Sequence, residues 1–245
     1  MFLAHATGFC GRTLDGVAAS LPCTTVHDFR GHGRSGPAAV PVSWWDMASD
    51  VATVRAAVEA ETAIGFGHSM GGAALAMVEI EHPGSFDALV LFEPIVFGGP
   101  FRRRDHPLAE IAERRRRSFP SREAARDNFV RKPPFDTWSE VALTGYLADG
   151  LIDRDGVFEL ACSPPFEAEM YRSAAAHGLF ARLAELSCPV TILVGGESDT
   201  YPEGWAETLT DAIPEGRLVR TDGSHFAPME HPESVVAEIE AGLGR

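Results

Sequence analysis

The chain has 245 residues, 45% of them hydrophobic and 23% charged, enough apolar material for one globular core or for one core with an insertion. Its 35 acidic and 21 basic side chains leave a formal net charge of −14, which opposes attraction to nucleic acid or to an anionic membrane surface. No run of ~18 apolar residues and no cationic leader is present, so a membrane span and a secretion signal are not expected, and the expected location is the cytoplasm.

Short apolar runs with β character alternate with stretches of helical spacing. Phe2–His5, Thr24–Asp28, Ala63–Gly67, Ala88–Phe92, Val190–Val194 and Arg217–Thr221 read as strands. Between them Leu14–Leu21, Trp44–Ala60, Gly71–His82, Glu203–Ile213 and Pro232–Leu243 read as helices; Val51, Val54 and Val58 form one apolar stripe, and Val235, Ile239 and Leu243 another. Such alternation predicts an α/β fold, a mostly parallel sheet of about six strands with helices on both faces. It breaks once. About 90 residues separate Phe97 from the next strand, too many for a structureless loop, so residues 97–186 are expected as a mostly helical insertion between a first core part, 1–96, and a second, 187–245.

That insertion holds half of the aromatic residues and, between Phe101 and Lys132, 11 of the 21 basic ones. Glu110 with Arg114 and Glu113 with Arg117 are i, i+4 pairs, which predicts a solvated helix burying Leu108 and Ile111, with anion binding by the arginines as the other reading. The four cysteines, Cys10, Cys23, Cys162 and Cys188, lie far apart without a C-x-x-C pair and are expected as free thiols.

Gly67-His68-Ser69-Met70-Gly71 lies between a predicted strand and a predicted helix, the context in which G-x-S-x-G exposes a serine on a sharp, strained turn. A serine hydroxyl needs a base to take its proton, and the base needs a carboxylate to orient it. His225, past the last predicted strand, is the candidate base. Asp199, past the strand before it, is the favoured acid, and Glu93, at the end of Ala88–Phe92, is the competing one. No His/Cys/Asp/Glu metal motif, P-loop or dinucleotide fingerprint is found, so no cofactor is expected.

The order Ser69, Asp199, His225, together with His5-Ala6-Thr7-Gly8-Phe9 and Asp28-Phe29-Arg30-Gly31-His32-Gly33-Arg34-Ser35, resembles the α/β-hydrolase superfamily, in its lidded serine esterase, C–C hydrolase and haloperoxidase-like branch. The resemblance implies that residues 97–186 form a lid and that the oxyanion is held by the backbone N–H of Met70 and by one from the early glycine loop, Phe9 before Gly8. It also implies a small-molecule ester, thioester or lactone as substrate, cleaved through an acyl-enzyme. Cleavage of a C–C bond in a β-diketone-like compound and a non-catalytic ligand-binding protein are the alternatives. His68, Trp138, Tyr146 and Phe226 are the candidate substrate contacts. The family carries two further strands ahead of the first one here, so Thr24–Asp28 is expected at a sheet edge, and an upstream start or a homodimer covering that edge is expected in turn.

Overall fold

The computed structural model describes residues 1–242. The first part of the core runs β1 (Phe2–Ala4), a 3₁₀ turn continuing into α1 (Asp15–Ala18), β2 (Thr25–His27), α2 (Trp44–Ala57), β3 (Ile64–His68), α3 (Met70–Glu81) and β4 (Ala88–Phe92). The inserted segment contains α4 (Pro107–Glu113), β5 (Ser118–Phe119), α5 (Arg122–Phe129), α6 (Glu140–Asp149), β6 (Leu151–Arg154), β7 (Val157–Leu160), α7 (Pro164–Ser173) and a 3₁₀ helix at Leu179–Glu185. The second part follows as β8 (Val190–Gly195), α8 (Trp205–Asp211), β9 (Gly216–Thr221), α9 (Ala227–Glu230) and α10 (Pro232–Gly242).

All six predicted core strands form, in one parallel sheet of order β2-β1-β3-β4-β8-β9. Parallel strands are buried on both faces, which is why β3, β4 and β8 read as nearly continuous apolar runs. β2 pairs on one side only, with β1, and is the edge that the family resemblance implied. Two apolar clusters lie on the two faces of the sheet: one around α2, α3 and the 3₁₀ helix Leu179–Glu185, the other around α1, α6 and α10. Val235 and Ile239 face the second cluster; Leu243, the third residue of their stripe, lies outside the described residues.

The insertion adds a small sheet to its helices and turns one helix differently from expectation. It is not purely helical: β5, β7 and β6 form a three-stranded antiparallel sheet, whose β6–β7 turn carries Asp155 and Gly156 at positive φ, +52° and +84°. And α4 turns the other way. Ala109 and Ala112 are buried while Leu108 and Ile111 are exposed, because the face of α4 that packs on Ala168 and Tyr171 of α7 is the alanine one. Of the two charge pairs expected on α4, Glu110–Arg114 forms at 3.7 Å; Glu113 instead meets Arg172 on α7 at 2.8 Å, and Arg117 meets Glu159 on β7. Cys10, Cys162 and Cys188 are buried free thiols and Cys23 is an exposed one.

The insertion shares both cores with the sheet. Phe166, Met170 and Leu179 join one cluster, Phe119, Phe129 and Tyr146 the other. Polar ties add to this: Trp44 Nε1 donates to Ser173 Oγ at 3.1 Å, and Trp45 Nε1 donates to the His177 carbonyl at 2.8 Å.

Candidate active site

Ser69 sits between β3 and α3 with φ +58° and ψ −114°, a region that a residue with a Cβ enters only at a cost of order 1–3 kcal/mol. The glycines on either side explain how the turn closes. A Cβ on Gly67 would come within 2.6 Å of the Gly72 backbone, and one on Gly71 within 2.1 Å of the Ala4 carbonyl oxygen, so α3 can press against β1 and β3 only with glycine at both positions. Ser69 N–H donates to Phe92 O at 2.8 Å and Ser69 O accepts from Ile95 N–H at 3.1 Å, which fastens the elbow to the end of β4. Ser69 is the N-cap of α3, with no side-chain bond to the helix, and Met70, as the first helical residue, has its N–H outside the helical ladder.

His225 lies in the loop between β9 and α9. Its Nδ1 is 2.6 Å from Oε2 of Glu93. Asp199 does not take that place: it is exposed, in the loop beyond β8, with no bond to His225. The strand order gives the reason. β9 is the far edge of the sheet, so the loop bearing His225 has to cross the end of β8 to approach Ser69 after β3. It crosses at Gly195, where a Cβ would meet Gly223 O at 2.5 Å and Ser224 O at 2.6 Å, and beyond that point the first side chain is Glu93 at the end of β4. The loop after β8 supplies no acid but holds one: Gly195 N–H donates to Glu93 Oε1 at 2.9 Å and Ser198 Oγ–H to Oε2 at 2.8 Å.

Glu93 is fully buried and has φ +41°, a second strained residue beside the first. Burial pushes its carboxyl up, but the bond to His225, the charge on that ring, and the Ser198 and Gly195 donors outweigh burial and hold it below the usual carboxylate range. The signal that could have singled out Glu93 was present in the sequence. Ala88-Leu89-Val90-Leu91-Phe92-Glu93 places a carboxylate directly on a buried apolar run, where it must be paired.

In the loop after β1 the two candidate donors, Gly8 and Phe9, are bonded differently. Gly8, at φ +82°, donates its N–H to His32 Nε2 at 3.0 Å, so that donor is occupied, whereas Phe9 N–H makes only a 3.4 Å contact to Ala6 O. His32, from the Asp28–Ser35 motif, accepts at Nε2 only while neutral; burial, with His5 close by, pushes it down to about 3. Asp28 of the same motif receives Gly11 N–H at 2.6 Å and Arg34 N–H at 3.1 Å, tying the two loops together.

Above this loop lies the insertion. The Phe9 ring packs against Trp138 at 4.8 Å, Tyr146 at 5.9 Å and Phe226 at 6.1 Å, and Phe226 also meets His225. Trp138 and Phe226 therefore adjoin Phe9, and Phe226 adjoins His225 as well; Trp138 Nε1 is buried without a partner. Tyr146 is more remote: it is buried, and its hydroxyl accepts from Arg115 Nη2 at 2.7 Å. Arg115 also bonds Glu167, whose Oε1 lies 2.6 Å from where a Gly8 Cβ would stand. One of the four consecutive arginines, Arg115, is thus a half-buried brace against the glycine loop rather than a solvated residue. His68, expected among the substrate contacts, has no exposed surface. Among the described residues no three His, Cys, Asp or Glu side chains are grouped to hold a metal ion, and no helix is long and apolar enough to cross a membrane.

The family model described as "Alpha/beta hydrolase family" matches residues 1–239. Among solved structures, a peroxisomal alpha-beta-hydrolase of Saccharomyces cerevisiae superposes with TM-score 0.87 at 18% identity, over 99% of this chain and 76% of that one. An esterase of Mycobacterium tuberculosis gives TM-score 0.77 at 21% identity, over 100% of this chain and 83% of its own. The enol-lactonase of Burkholderia xenovorans gives 0.73 at 18%, over 100% and 90%. A search of the curated proteins gives no match.

Proposed function

This chain belongs to the alpha/beta hydrolase family, and from that premise we propose that it is a serine hydrolase that cleaves a small carboxylic ester, thioester or lactone through an acyl-enzyme. The observation that carries the reading is the pairing of a strained Ser69 at the strand–helix elbow with a His225 whose Nδ1 is held at 2.6 Å by a buried carboxylate.

In the proposed reaction Ser69 Oγ attacks the acyl carbon while Nε2 of His225 takes the hydroxyl proton. Glu93, accepting from Nδ1–H, fixes the ring's tautomer and stabilises the imidazolium that forms. The carbonyl oxygen gains the negative charge and is held by the N–H groups of Met70 and Phe9. Collapse of the tetrahedral adduct breaks the bond to the leaving oxygen or sulfur, which takes the proton from His225. Water, deprotonated by the same ring, then attacks the acyl-serine and releases the acid and Ser69. No bond joins Ser69 Oγ to His225 in this structure, and such contacts tighten when substrate arrives. The aromatic contacts of Phe9, Trp138 and Phe226 support a compact, apolar acyl site under a lid formed by residues 97–186.

Labelling by a fluorophosphonate probe, with hydrolysis of a series of p-nitrophenyl esters, tests this reading. The wild-type chain is expected to label and Ser69→Ala to lose labelling together with ~10⁴- to 10⁶-fold in turnover. A Ser69→Ala variant within tenfold of wild type would overturn the assignment.

A further inference from the structure

His68 fills the variable position of the elbow, and nothing in the reaction above employs it. It is fully buried. Its Nε2 lies 2.8 Å from the carbonyl oxygen of His225, and the two rings sit 4.8 Å apart. A carbonyl only accepts, so Nε2 carries the proton and Nδ1 is left as a lone pair, buried and without a partner. A residue there only to fill space would avoid that cost.

The main chain around His225 shows what the donor is for. In the turn that leads into α9, Ser224 O accepts from Ala227 N–H at 3.1 Å and Phe226 O accepts from Met229 N–H at 2.8 Å. Each is an i to i+3 bond. The same pattern would bond His225 O to the N–H of residue 228, but residue 228 is proline and has none. The carbonyl left over by Pro228 is the one that His68 takes. Burial, and the neighbouring His225, hold His68 well below the ordinary histidine range, so it stays neutral and adds no charge against an imidazolium on His225.

We propose that His68 is a positioning residue for His225: its Nε2–H replaces the main-chain donor that Pro228 lacks and fixes the backbone of the base, so that Nδ1 stays on Glu93 while Nε2 is left for Ser69. This role rests on the serine hydrolase reading.

The test measures kcat and KM on p-nitrophenyl acetate for His68→Phe, which keeps an aromatic ring but has no donor, and for His68→Gln, which keeps an N–H, beside Ser69→Ala. For His68→Phe, kcat is expected to fall about 10- to 100-fold with KM within about twofold, since displacement of a catalytic group acts on the reacting complex rather than on binding. His68→Gln is expected to recover most of the loss. Wild-type kcat in His68→Phe, or equal losses in the two variants, would overturn the role. A two-bond ¹H–¹⁵N correlation spectrum of the wild-type protein supplies an answer independent of how the variants fold. His68 is expected as the neutral Nε2–H tautomer, and an Nδ1–H tautomer would overturn the role. Ser69→Ala that keeps hydrolysis overturns the triad and this role together. Inactive Ser69→Ala beside fully active His68→Phe overturns this role alone.

Discussion

A carboxylate without exposed surface keeps its charge only if both oxygens are occupied, and Glu93 meets that condition through Gly195 N–H, Ser198 Oγ and His225 Nδ1. Replacing it by Gln removes the charge that orients the ring, whereas Asp199 is exposed and away from His225. Kinetics on a p-nitrophenyl ester are therefore expected to show a loss of order 10³- to 10⁴-fold in kcat for Glu93→Gln and a loss within about twofold for Asp199→Asn. The reverse ranking would return the acid to the loop after β8. The same carboxylate has a pH signature. Its folded value is depressed, so the stability it contributes is present above the ordinary value of about 4.5 and is lost as pH falls through the lower folded value. Between wild type and Glu93→Gln, the slope of melting temperature against pH is expected to differ below about pH 4.5 and to agree at neutral pH, measured by scanning calorimetry.

At the scale of elements, the glycine loop after β1 is held from two sides, by His32 beneath it and by the Arg115–Glu167 pair from the insertion above. Arg115 follows α4 and Glu167 belongs to α7, so the pair also clamps these helices, whose alanine contact leaves little apolar area to do so. Side-chain exposures of 16% and 7% make this a largely desolvated pair, for which removal of one partner costs more than the pair contributes. Glu167→Gln, which leaves Arg115 buried and uncompensated, is expected to lower the unfolding free energy by about 3–5 kcal/mol. Joint replacement by Arg115→Met and Glu167→Leu is expected to cost far less in the same urea titration. Equal losses would show that the ion pair itself, rather than the stranded charge, carries the stability.

For the whole molecule, the decisive feature is that the packing within residues 97–186 is continuous with that of the sheet: the nest of Phe119, Phe129, Phe135, Trp138 and Tyr146 also takes in Phe9, while a small cluster around Ala109, Ala112, Ala168 and Tyr171 stands apart. The insertion's large side chains complete the two clusters on either face of the sheet. Further ties run to α9, the helix that follows His225, where Ser139 N–H donates to Met229 O at 2.9 Å and Thr137 Oγ–H to Glu230 Oε1 at 2.6 Å. Sheet and insertion are accordingly expected to unfold in one transition. Far-ultraviolet circular dichroism, which reports the helices and sheet throughout, and tryptophan fluorescence, with Trp138 in the insertion and Trp44, Trp45 and Trp205 outside it, should give coincident urea curves. Two separated transitions would mean that the insertion folds as an independent body.

The sequence by itself determined whatever depends on neighbours along the chain. Apolar runs of four or five residues gave the six core strands to within a residue or so at each end, and Gly67-His68-Ser69-Met70-Gly71 fixed the elbow, because both follow from local periodicity and from what a backbone without Cβ can do. The tertiary structure alone decided which groups meet across it. Asp199 and Glu93 both end strands, and only the path of the His225 loop over Gly195 selects Glu93. Phe9 and Gly8 are adjacent, and only a bond from 24 residues away occupies Gly8. Leu108 and Ile111 read as an inner stripe of α4, while the helix turns its alanines to Ala168 and Tyr171 of α7. In each case the deciding energy belongs to a contact between distant segments, and no spacing within the chain records it.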